Sequence, residues 1–429
     1  MKPRQALSAL ICALLTVALF LCVQSFLADK GSYRKNADFY AYENDYEVLF
    51  FGSSMAVMAV APMELWHDYG ITSYNLANCG QYIPVDYHVL QNALDHQTPR
   101  LAVFDTAMLE SDDVFYEMFS VQLHEAFDMM PLTRKKIDAV RELMPKERRM
   151  EYLFPFFRYH TRWSVIDESF FRPRRRGAEK GAYLDGSNEI HYARVSPRET
   201  PVWTKQTVPG SAETNGKIYL RRCIERCLES GIEVLLTAYP VYADEAEQEA
   251  FSRVRTSARE IAGMYGIRFF DMQDEPGLID YGTDLVDDTH VNSSGMRKVT
   301  RRMGAYLKEH YELTDHRDGA VAERWNRDYE DYTAFKLEWL RAQETPESYL
   351  MLLAEEPYRV EAVSYDGNAF QGATIQALLN NLDNCQIVQA QPDAEGDDAH
   401  PAAEITVFHA GTGEVIDRAY LNREGKVTR

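Results

Sequence analysis

The chain has 429 residues, of which 45% are hydrophobic and 26% charged, and its formal net charge is −20 at pH 7. This composition is ordinary for a globular protein of about two or three domains and argues against intrinsic disorder. The acidic balance argues against a nucleic-acid partner, because phosphate binding needs a basic face and the chain has only short basic runs, such as residues 172–177.

The first element is an uncharged apolar segment, residues 6–28, that follows Lys2 and Arg4. As a helix rising about 1.5 Å per residue, it is long enough to cross a hydrocarbon layer of roughly 30 Å. Because the basic flank should stay in the cytoplasm, we expect residues 1–30 to anchor a single-pass cell-membrane protein whose remaining chain is extracytoplasmic. A cleaved signal peptide is the alternative, although its apolar region is usually only about 7–15 residues long.

Short apolar runs then alternate with longer amphipathic stretches, a pattern typical of a parallel sheet with helices on both faces. The predicted strands are residues 46–52, 71–76, 100–105, 232–238 and 267–271. The stretch between the third and fourth strands is too long for a plain crossover. We therefore expect a mainly helical insertion at about residues 110–215 that covers a functional site.

The C-terminal part of the chain changes in pattern. Residues 31–315 are the predicted α/β domain, residues 316–350 a helical connector, and residues 351–429 a small α+β domain. In the last of these, Gly411-Thr412-Gly413 separates two runs of alternating hydrophobicity, which is typical of a β-hairpin. The function of this small domain is open.

The candidate chemistry begins with Ser54, which ends the first predicted strand and starts a helix. A serine is a weak nucleophile until a base takes its proton, and His290 is a suitable base because Asp287 precedes it by three residues on a turn. That spacing lets the carboxylate reach one ring nitrogen and leaves the other for the serine. The alternative interpretation of Ser54 is a helix cap, and Ser53 is the second candidate hydroxyl.

These residues and their order resemble conserved blocks of the SGNH, or GDSL-like, hydrolase superfamily. The matching residues are Ser54 in "FGSSMA", Gly80 in "YNLANCGQY", and Asp287 and His290 in "DDTHVNSSG". The resemblance implies a flavodoxin-like three-layer α/β/α fold and acyl cleavage or transfer by a catalytic triad. It makes Ser54 the nucleophile, His290 the base and Asp287 its orienting partner, with the N–H groups of Ser54 and Gly80 in the oxyanion hole. An anchor and a small C-terminal domain resemble a group of bacterial envelope proteins of this superfamily.

One block departs from the family pattern. Where the family has Gly-x-Asn after the third strand, this chain has "VFDTAMLES", with Asp105 and Thr106. An ionised aspartate cannot donate a hydrogen bond, so Thr106, a residue of the insertion, or no residue at all supplies the third oxyanion donor. Asn78, Gln81 and Asp105 border the same region and are predicted substrate contacts.

The predicted activity is that of an extracytoplasmic serine esterase or O-acyltransferase acting on acyl groups, acetyl above all, of envelope polysaccharides or other acyl esters. We expect no cofactor and no metal, since no cysteine pair has metal-ligand spacing with histidines nearby. An envelope protein is a further expected partner. One alternative is a catalytically idle envelope binding or assembly protein, suggested by the missing asparagine. The other is a metal-dependent phosphoryl hydrolase whose ligands would be Asp105, Asp287, Asp288 and His290.

Overall fold

The structure is a computed structural model that describes residues 3–27, 39–41, 46–115, 120–128, 130–166, 170, 193–203, 208–210, 212–382, 384–390 and 401–429. The strands are β1 (Val48–Phe51), β2 (Ser73–Asn75), β3 (Leu101–Asp105), β4 (Glu233–Ala238), β5 (Arg268–Asp271), β6 (Tyr358–Ser364), β7 (Cys385–Gln389), β8 (Ala403–His409), β9 (Val415–Leu421) and β10 (Val427–Thr428). The helices are α1 (Pro3–Leu27), α2 (Ser54–Ala59), α3 (Pro62–Tyr69), α4 (Ile83–Ala93), α5 (Ser120–Phe127), α6 (Arg134–Leu143), α7 (Arg149–Leu153), α8 (Phe156–Tyr159), α9 (Asn215–Glu229), α10 (Glu245–Tyr265), α11 (Ser293–His310), α12 (Ala322–Arg341), α13 (Pro346–Leu353) and α14 (Ala373–Asn380).

The first sheet contains β1 to β5 in the order β2-β1-β3-β4-β5, and every neighbouring pair is parallel. This is the strand order of flavodoxin-like folds. Each strand lies inside one of the five predicted runs, so the predicted α/β fold class is confirmed. The register pairs Phe50 with Val103 and Val103 with Leu235.

Both faces of this sheet are covered, which explains why its central strands are continuous apolar runs rather than alternating ones. Side chains of α2, α3 and α11 pack with Phe50 and Val103 on one face. Those of α4, α9 and α10 pack with Phe51 and Phe104 on the other, where these two rings stack at 5.0 Å between centroids. The domain is therefore a three-layer α/β/α structure.

The insertion between β3 and β4 includes α5 to α8 and a 3₁₀ helix, His160–Val165. Its returning end, by which we mean residues 193–203, crosses the loop that precedes α11. There the N–H of Ser196 donates to the carbonyl of Leu285 at 2.8 Å, and that of Arg198 to the carbonyl of Tyr281 at 2.8 Å. The end of the insertion thus lies against the loop that carries His290.

The second sheet has the order β10-β9-β8-β6-β7. Only β6 and β7 pair in parallel, and the remaining neighbours are antiparallel. β8 and β9 form the hairpin expected around Gly411-Thr412-Gly413, and Gly413 has a φ of 72°, a conformation that glycine adopts without strain. With α13 and α14 this sheet encloses its own apolar core, so the C-terminal domain is α+β.

The predicted connector is a packed helix. Trp325 and Tyr332 of α12 belong to the core of the α/β domain, whereas Leu340 belongs to the core of the C-terminal domain. One continuous helix therefore packs into both domains.

The N-terminal helix α1 contains an apolar stretch, Arg4–Gln24, with a mean hydropathy of 2.7, in which none of the residues searched for a membrane span is fully buried. Its length and composition suit a membrane span, and a signal sequence has the same properties.

Candidate active site

Ser54 lies at the carboxyl end of β1, on a turn that only a glycine permits. Gly52 has a φ of 143°, and a Cβ at this position would lie 2.3 Å from the Cβ of Asp105. Ser53 is the N-cap of α2, and its Oγ accepts a hydrogen bond from the N–H of Met55 at 3.3 Å. Ser54 is thus the first residue of α2, where free N–H groups and the helix dipole favour negative charge.

His290 joins Ser54 to Asp287. Its Nε2 lies 2.8 Å from the Oγ of Ser54, across 236 positions of sequence. Its Nδ1 lies 2.8 Å from Oδ1 and 2.9 Å from Oδ2 of Asp287. This is the arrangement in which an imidazole takes a proton from a serine while a carboxylate holds the ring.

The loop that carries Asp287 and His290 is closed by its own hydrogen bonds. The N–H groups of Thr289 and His290 both donate to Oδ1 of Asp287, at 2.9 and 3.0 Å. The N–H of Val286 donates to the carbonyl of His290 at 3.0 Å. Partial burial raises the pKa of Asp287, but the hydrogen bonds from His290 and the N–H of Thr289 outweigh it and leave the pKa below its ordinary value. Asp287 is therefore ionised at neutral pH.

Asp105 supports residues 52–54, which we call the nucleophile turn after the predicted role of Ser54. Its Oδ2 accepts the hydroxyl of Ser53 at 2.6 Å and the N–H of Ser53 at 3.2 Å, while Oδ1 accepts the N–H of Ala107 at 2.9 Å. Burial raises the pKa of Asp105, and the hydrogen bonds from Ser53 oppose that rise. Both Asp105 and Ser53 are buried, and the hydrogen bonds between them lie in the protein interior. The hydroxyl of Ser53 is thus engaged, which is at odds with Ser53 as a second nucleophile. Asp105 also lines the pocket described below, and its substrate contact stays a prediction.

Asn78 and Gln81 lie in a buried chain of polar side chains. The Nδ2 of Asn78 donates to Oε1 of Gln81 at 2.8 Å, and the Nε2 of Gln81 donates to Oδ1 of Asp86 at 2.5 Å. Asn78 and Gln81 are both 0% exposed. Both amides are thus engaged within the protein, and their substrate contacts stay a prediction.

Asp86 is the third side chain of this hydrogen-bonded row, and the sequence pattern did not predict its role. It lies in the first turn of α4, and the N–H of Gly52 also donates to its carboxylate. Burial raises the pKa of Asp86 well above its ordinary value, against the effect of the hydrogen bond from Gln81. An acidic residue shortly after the Gly80 loop was the available signal, but a helix start explains such a residue equally well.

The backbone N–H groups expected in the oxyanion hole are those of Ser54 and Gly80. Gly80 has a φ of 64°, and its loop is tied to the nucleophile turn because the N–H of Asn78 donates to the carbonyl of Gly52 at 3.1 Å. Within the described part of the chain, neither the N–H of Ser54 nor that of Gly80 donates to a protein acceptor. Both are available to a ligand.

Thr106, the predicted third donor, is engaged within the sheet. Its hydroxyl and its N–H each donate to the carbonyl of Thr237 at 3.0 Å, and the residue is 0% exposed. The register of β3 and β4 causes this, since Asp105 pairs with Thr237 and the chain continues alongside it. Thr106 also lines the pocket described below, and its role as an oxyanion donor stays a prediction.

A pocket lies beside Ser54 at the carboxyl ends of β3, β4 and β5 and encloses about 340 Å³ of space open to solvent. Its wall is largely apolar and includes Met55, Ala107, Trp203, Val241 and Phe251. Tyr239, which directly follows β4, also lines it. Its position at the end of a strand was a signal that the sequence analysis did not use.

The four side chains that would bind the metal ion of a phosphoryl hydrolase do not form one cluster. Asp105 binds Ser53, and Oδ1 of Asp288 accepts a hydrogen bond from Nε of Arg198 at 2.6 Å. Over the described ranges, no group of three or more His, Cys, Asp or Glu side chains is placed to hold a metal ion. Asp287 contacts His290 instead, and His290 contacts Ser54.

The comparisons with known proteins are sparse. No family model and no curated protein matches the chain. Similar solved structures include a GDSL-like lipase from Bacteroides thetaiotaomicron, with 9% identity and a TM-score of 0.32 over 66% of this chain and 100% of that one. Another is a protein from Bacteroides fragilis assigned as an acylhydrolase, with 11% identity and a TM-score of 0.31 over 65% and 94% of the two chains. The strand order and the site geometry of this chain therefore carry the functional argument on their own.

Proposed function

We propose that this protein is a serine esterase or O-acyltransferase of the SGNH type that forms an acyl-enzyme on Ser54. The observation that carries the proposal is the continuous contact from Ser54 Oγ through His290 to Asp287, with distances of 2.8 Å on both sides of the ring. A helix cap at Ser54 would not require a distant histidine, and the cap of α2 is Ser53 instead.

In the proposed reaction, Nε2 of His290 takes the proton of Ser54 as Oγ attacks the acyl carbonyl carbon. The negative charge that develops on the carbonyl oxygen is stabilised by the N–H groups of Ser54 and Gly80. His290 then gives the proton to the departing alcohol, and Asp287 stabilises the imidazolium in between. Water or an acceptor hydroxyl, deprotonated by His290, attacks the acyl-enzyme and releases Ser54.

The oxyanion hole of this enzyme has two backbone donors, since Thr106 is committed to Thr237. Removing one such donor elsewhere lowers the rate by about 100- to 1,000-fold. We therefore propose either a slow catalyst or one in which a protein side chain moves to donate the third hydrogen bond when the substrate binds. Tyr239, which lines the pocket, is the side chain to test first for that role.

The proposed substrates are acyl esters, acetyl esters above all, of cell-envelope polysaccharides. The apolar pocket next to Met55 suits the acyl group, and α1 supports a single-pass membrane protein with its catalytic domain outside the cell. Whether water or a sugar hydroxyl reaches the acyl-enzyme decides between hydrolysis and transfer. An envelope protein partner would be consistent with this location.

Labelling with a fluorophosphonate, followed by peptide mapping, tests the proposal. The full chain in detergent should be labelled at Ser54, and Ser54→Ala and His290→Ala should both lose the label and the hydrolysis of an aryl acetate. Ser53→Ala distinguishes the two hydroxyls: it should keep the label at Ser54, although more slowly, because it also removes the cap of α2 and the hydrogen bond to Asp105. Labelling of Ser54→Ala would exclude this nucleophile, and a folded wild-type protein without label would favour the idle binding protein. Activity that a chelator removes and that survives in Ser54→Ala would favour the metal-dependent alternative.

A further inference from the structure

A surface on the insertion combines exposed apolar side chains with arginines. We call residues 149–166, which comprise α7, α8 and the 3₁₀ helix after them, the insertion tip. Trp163 is 68% exposed and Val165 64%, and Phe157 and Ile166 are also exposed. Large apolar side chains grouped on a surface mark a site that another apolar phase or molecule covers.

The insertion tip contacts α1 inside its apolar stretch. The ring of Phe20 lies 5.3 Å from that of Phe156 and 6.1 Å from that of Phe154, measured between centroids. Near the end of the helix, Nη1 of Arg162 donates to the carbonyl of Leu27 at 3.1 Å. Val23, Phe26 and Leu27 pack with Phe156 and Tyr159 in a small apolar cluster.

The depth of these contacts follows from helix geometry. The apolar stretch ends at Gln24, four residues after Phe20. At 1.5 Å per residue, Phe20 lies about 6 Å below the end of the span, which is the depth to which interfacial helices bury their apolar faces. If α1 crosses a bilayer, Phe154 and Phe156 must share that depth, because they contact Phe20.

We propose that the insertion tip is embedded in the outer leaflet of the membrane that α1 spans, with Phe157, Trp163 and Ile166 among the acyl chains and headgroups. This inference rests on the anchor in the proposed function and adds a second membrane contact that belongs to the catalytic domain. It fixes the orientation of the insertion, whose returning end contributes Trp203 to the pocket beside Ser54.

The chemistry of the tip fits a lipid surface better than a protein partner. Tryptophan is enriched at membrane interfaces, where its ring is half in apolar surroundings and its N–H meets headgroups. Arg158 and Arg162 belong to the same tip. Their guanidinium carbons lie 5.6 and 5.9 Å from the ring centroid of Tyr159. Anionic lipids attract such a basic patch, whereas the rest of a chain with a net charge of −20 is repelled by them.

The test uses the full chain in phosphatidylcholine–phosphatidylglycerol vesicles, with bromine atoms on the acyl chains of part of the lipid to quench nearby tryptophans. Vesicle flotation first shows whether the chain is anchored. The wild-type protein should lose fluorescence in brominated vesicles, more with bromines near the headgroups than with bromines deep in the bilayer. Trp163→Phe should lose most of this quenching, and Trp339→Phe, which alters a tryptophan packed on the C-terminal core, should retain it.

Each outcome has a separate meaning. An anchored protein in which Trp163→Phe and wild type are quenched equally would overturn the insertion tip proposal and leave the anchor and Ser54 chemistry intact. A chain that does not float with the vesicles would overturn the anchor and this proposal together, and fluorophosphonate labelling of Ser54 would be unaffected. Should Trp163→Phe fold poorly, hydrogen exchange of the wild-type peptide covering residues 156–166 gives the same decision: protection in vesicles over detergent supports the contact, and equal exchange overturns it.

Discussion

Asp287 and Asp288 are adjacent carboxylates with different partners. Asp287 faces Nδ1 of His290, whereas Asp288 pairs with Arg198 at the end of the insertion. The distinction matters because only a carboxylate that accepts from Nδ1 keeps Nε2 unprotonated and able to accept the proton of Ser54. The two residues therefore form a matched pair for mutagenesis.

Asp287→Asn should lower kcat for an aryl acetate by at least about 100-fold, because an amide holds the imidazole less well and does not stabilise its charged form. Asp288→Asn is the control and should stay within a few-fold of wild type, since the carboxylate of Asp288 pairs with Arg198 and, in the part of the chain that the structure describes, forms no hydrogen bond with His290. Steady-state kinetics on folded protein give the comparison. Similar losses in the two variants would contradict the assignment of Asp287 as the orienting carboxylate.

The buried carboxyl of Asp86 predicts a pH dependence of stability. Its pKa in the folded protein is raised well above the ordinary value by burial. A carboxyl group whose folded pKa is raised contributes stability that is fully present below the unfolded pKa of about 4 and is lost as the pH rises through the folded pKa.

Asp86→Asn removes this titration while keeping a carbonyl oxygen for the N–H donors of Gln81 and Gly52. The stability of Asp86→Asn relative to wild type should therefore increase as the pH rises above about 4, because only wild type loses stability by titration of this carboxyl. Urea unfolding of both proteins between pH 5 and pH 8 measures the trend. Two curves that stay parallel over this range would show that Asp86 does not titrate there.

At the scale of elements, the turn from β1 to α2 is where the fold and the site meet. The N–H and hydroxyl of Ser53 are held by Asp105, the carbonyl of Gly52 accepts from Asn78, and the N–H of Gly52 donates to Asp86. The end of β3, the loop after β2 and the first turn of α4 thus fix one turn. This agrees with the need for rigid placement of a nucleophile.

Gly52→Ala should destabilise the protein by about 3 kcal/mol and abolish activity, because alanine is strained at a φ of 143° and its methyl group would overlap Asp105. Gly263→Ala is the matched control, since Gly263 lies inside α10 with no atom near the added Cβ. That change should be neutral or stabilising by up to about 1 kcal/mol. Thermal or urea unfolding measures both, and equal stability of the two variants would contradict the strained-turn argument.

At the scale of the whole molecule, a buried ionic cluster joins the two domains. Nε of Arg297 on α11 lies 3.2 Å from Oε1 of Glu356. The same oxygen lies 2.8 Å from Nζ of Lys336 on α12. Nζ of Lys336 also lies 2.8 Å from Oε1 of Glu64 on α3. Burial alone would raise the pKa of Glu64, and the charge of Lys336 holds it below its ordinary value instead. The C-terminal domain is therefore fixed to the α/β domain rather than tethered to it.

Glu356→Ala should cost about 3–5 kcal/mol, because it leaves the buried charges of Arg297 and Lys336 without a shared carboxylate. Glu249→Ala is the control: Glu249 forms an exposed pair with Arg253 within α10, and its loss should cost no more than about 0.5 kcal/mol. Calorimetry and limited proteolysis between the domains measure the effect. A small change in both variants would mean that the cluster does not hold the domains together.

Local sequence patterns were enough to predict the strands of the first sheet and one hairpin of the second. Apolar runs and their spacing predicted the five parallel strands and the hairpin at Gly411-Thr412-Gly413, because those patterns are set by neighbouring residues. The pairing of Ser54 with Asp287 and His290 was also inferred from sequence, on local spacing and the family resemblance, and the structure has these side chains in contact.

The partners of the polar side chains around Ser54, by contrast, depend on contacts between segments far apart in sequence. Asp105 turns to Ser53, 52 positions away, and Thr106 turns to Thr237, 131 positions away. Asn78 and Gln81 are polar residues in a loop, yet α4 and the nucleophile turn bury them with Asp86. A polar residue at the end of a strand can serve a ligand or the fold, and the choice depends on packing against distant segments that no local pattern records.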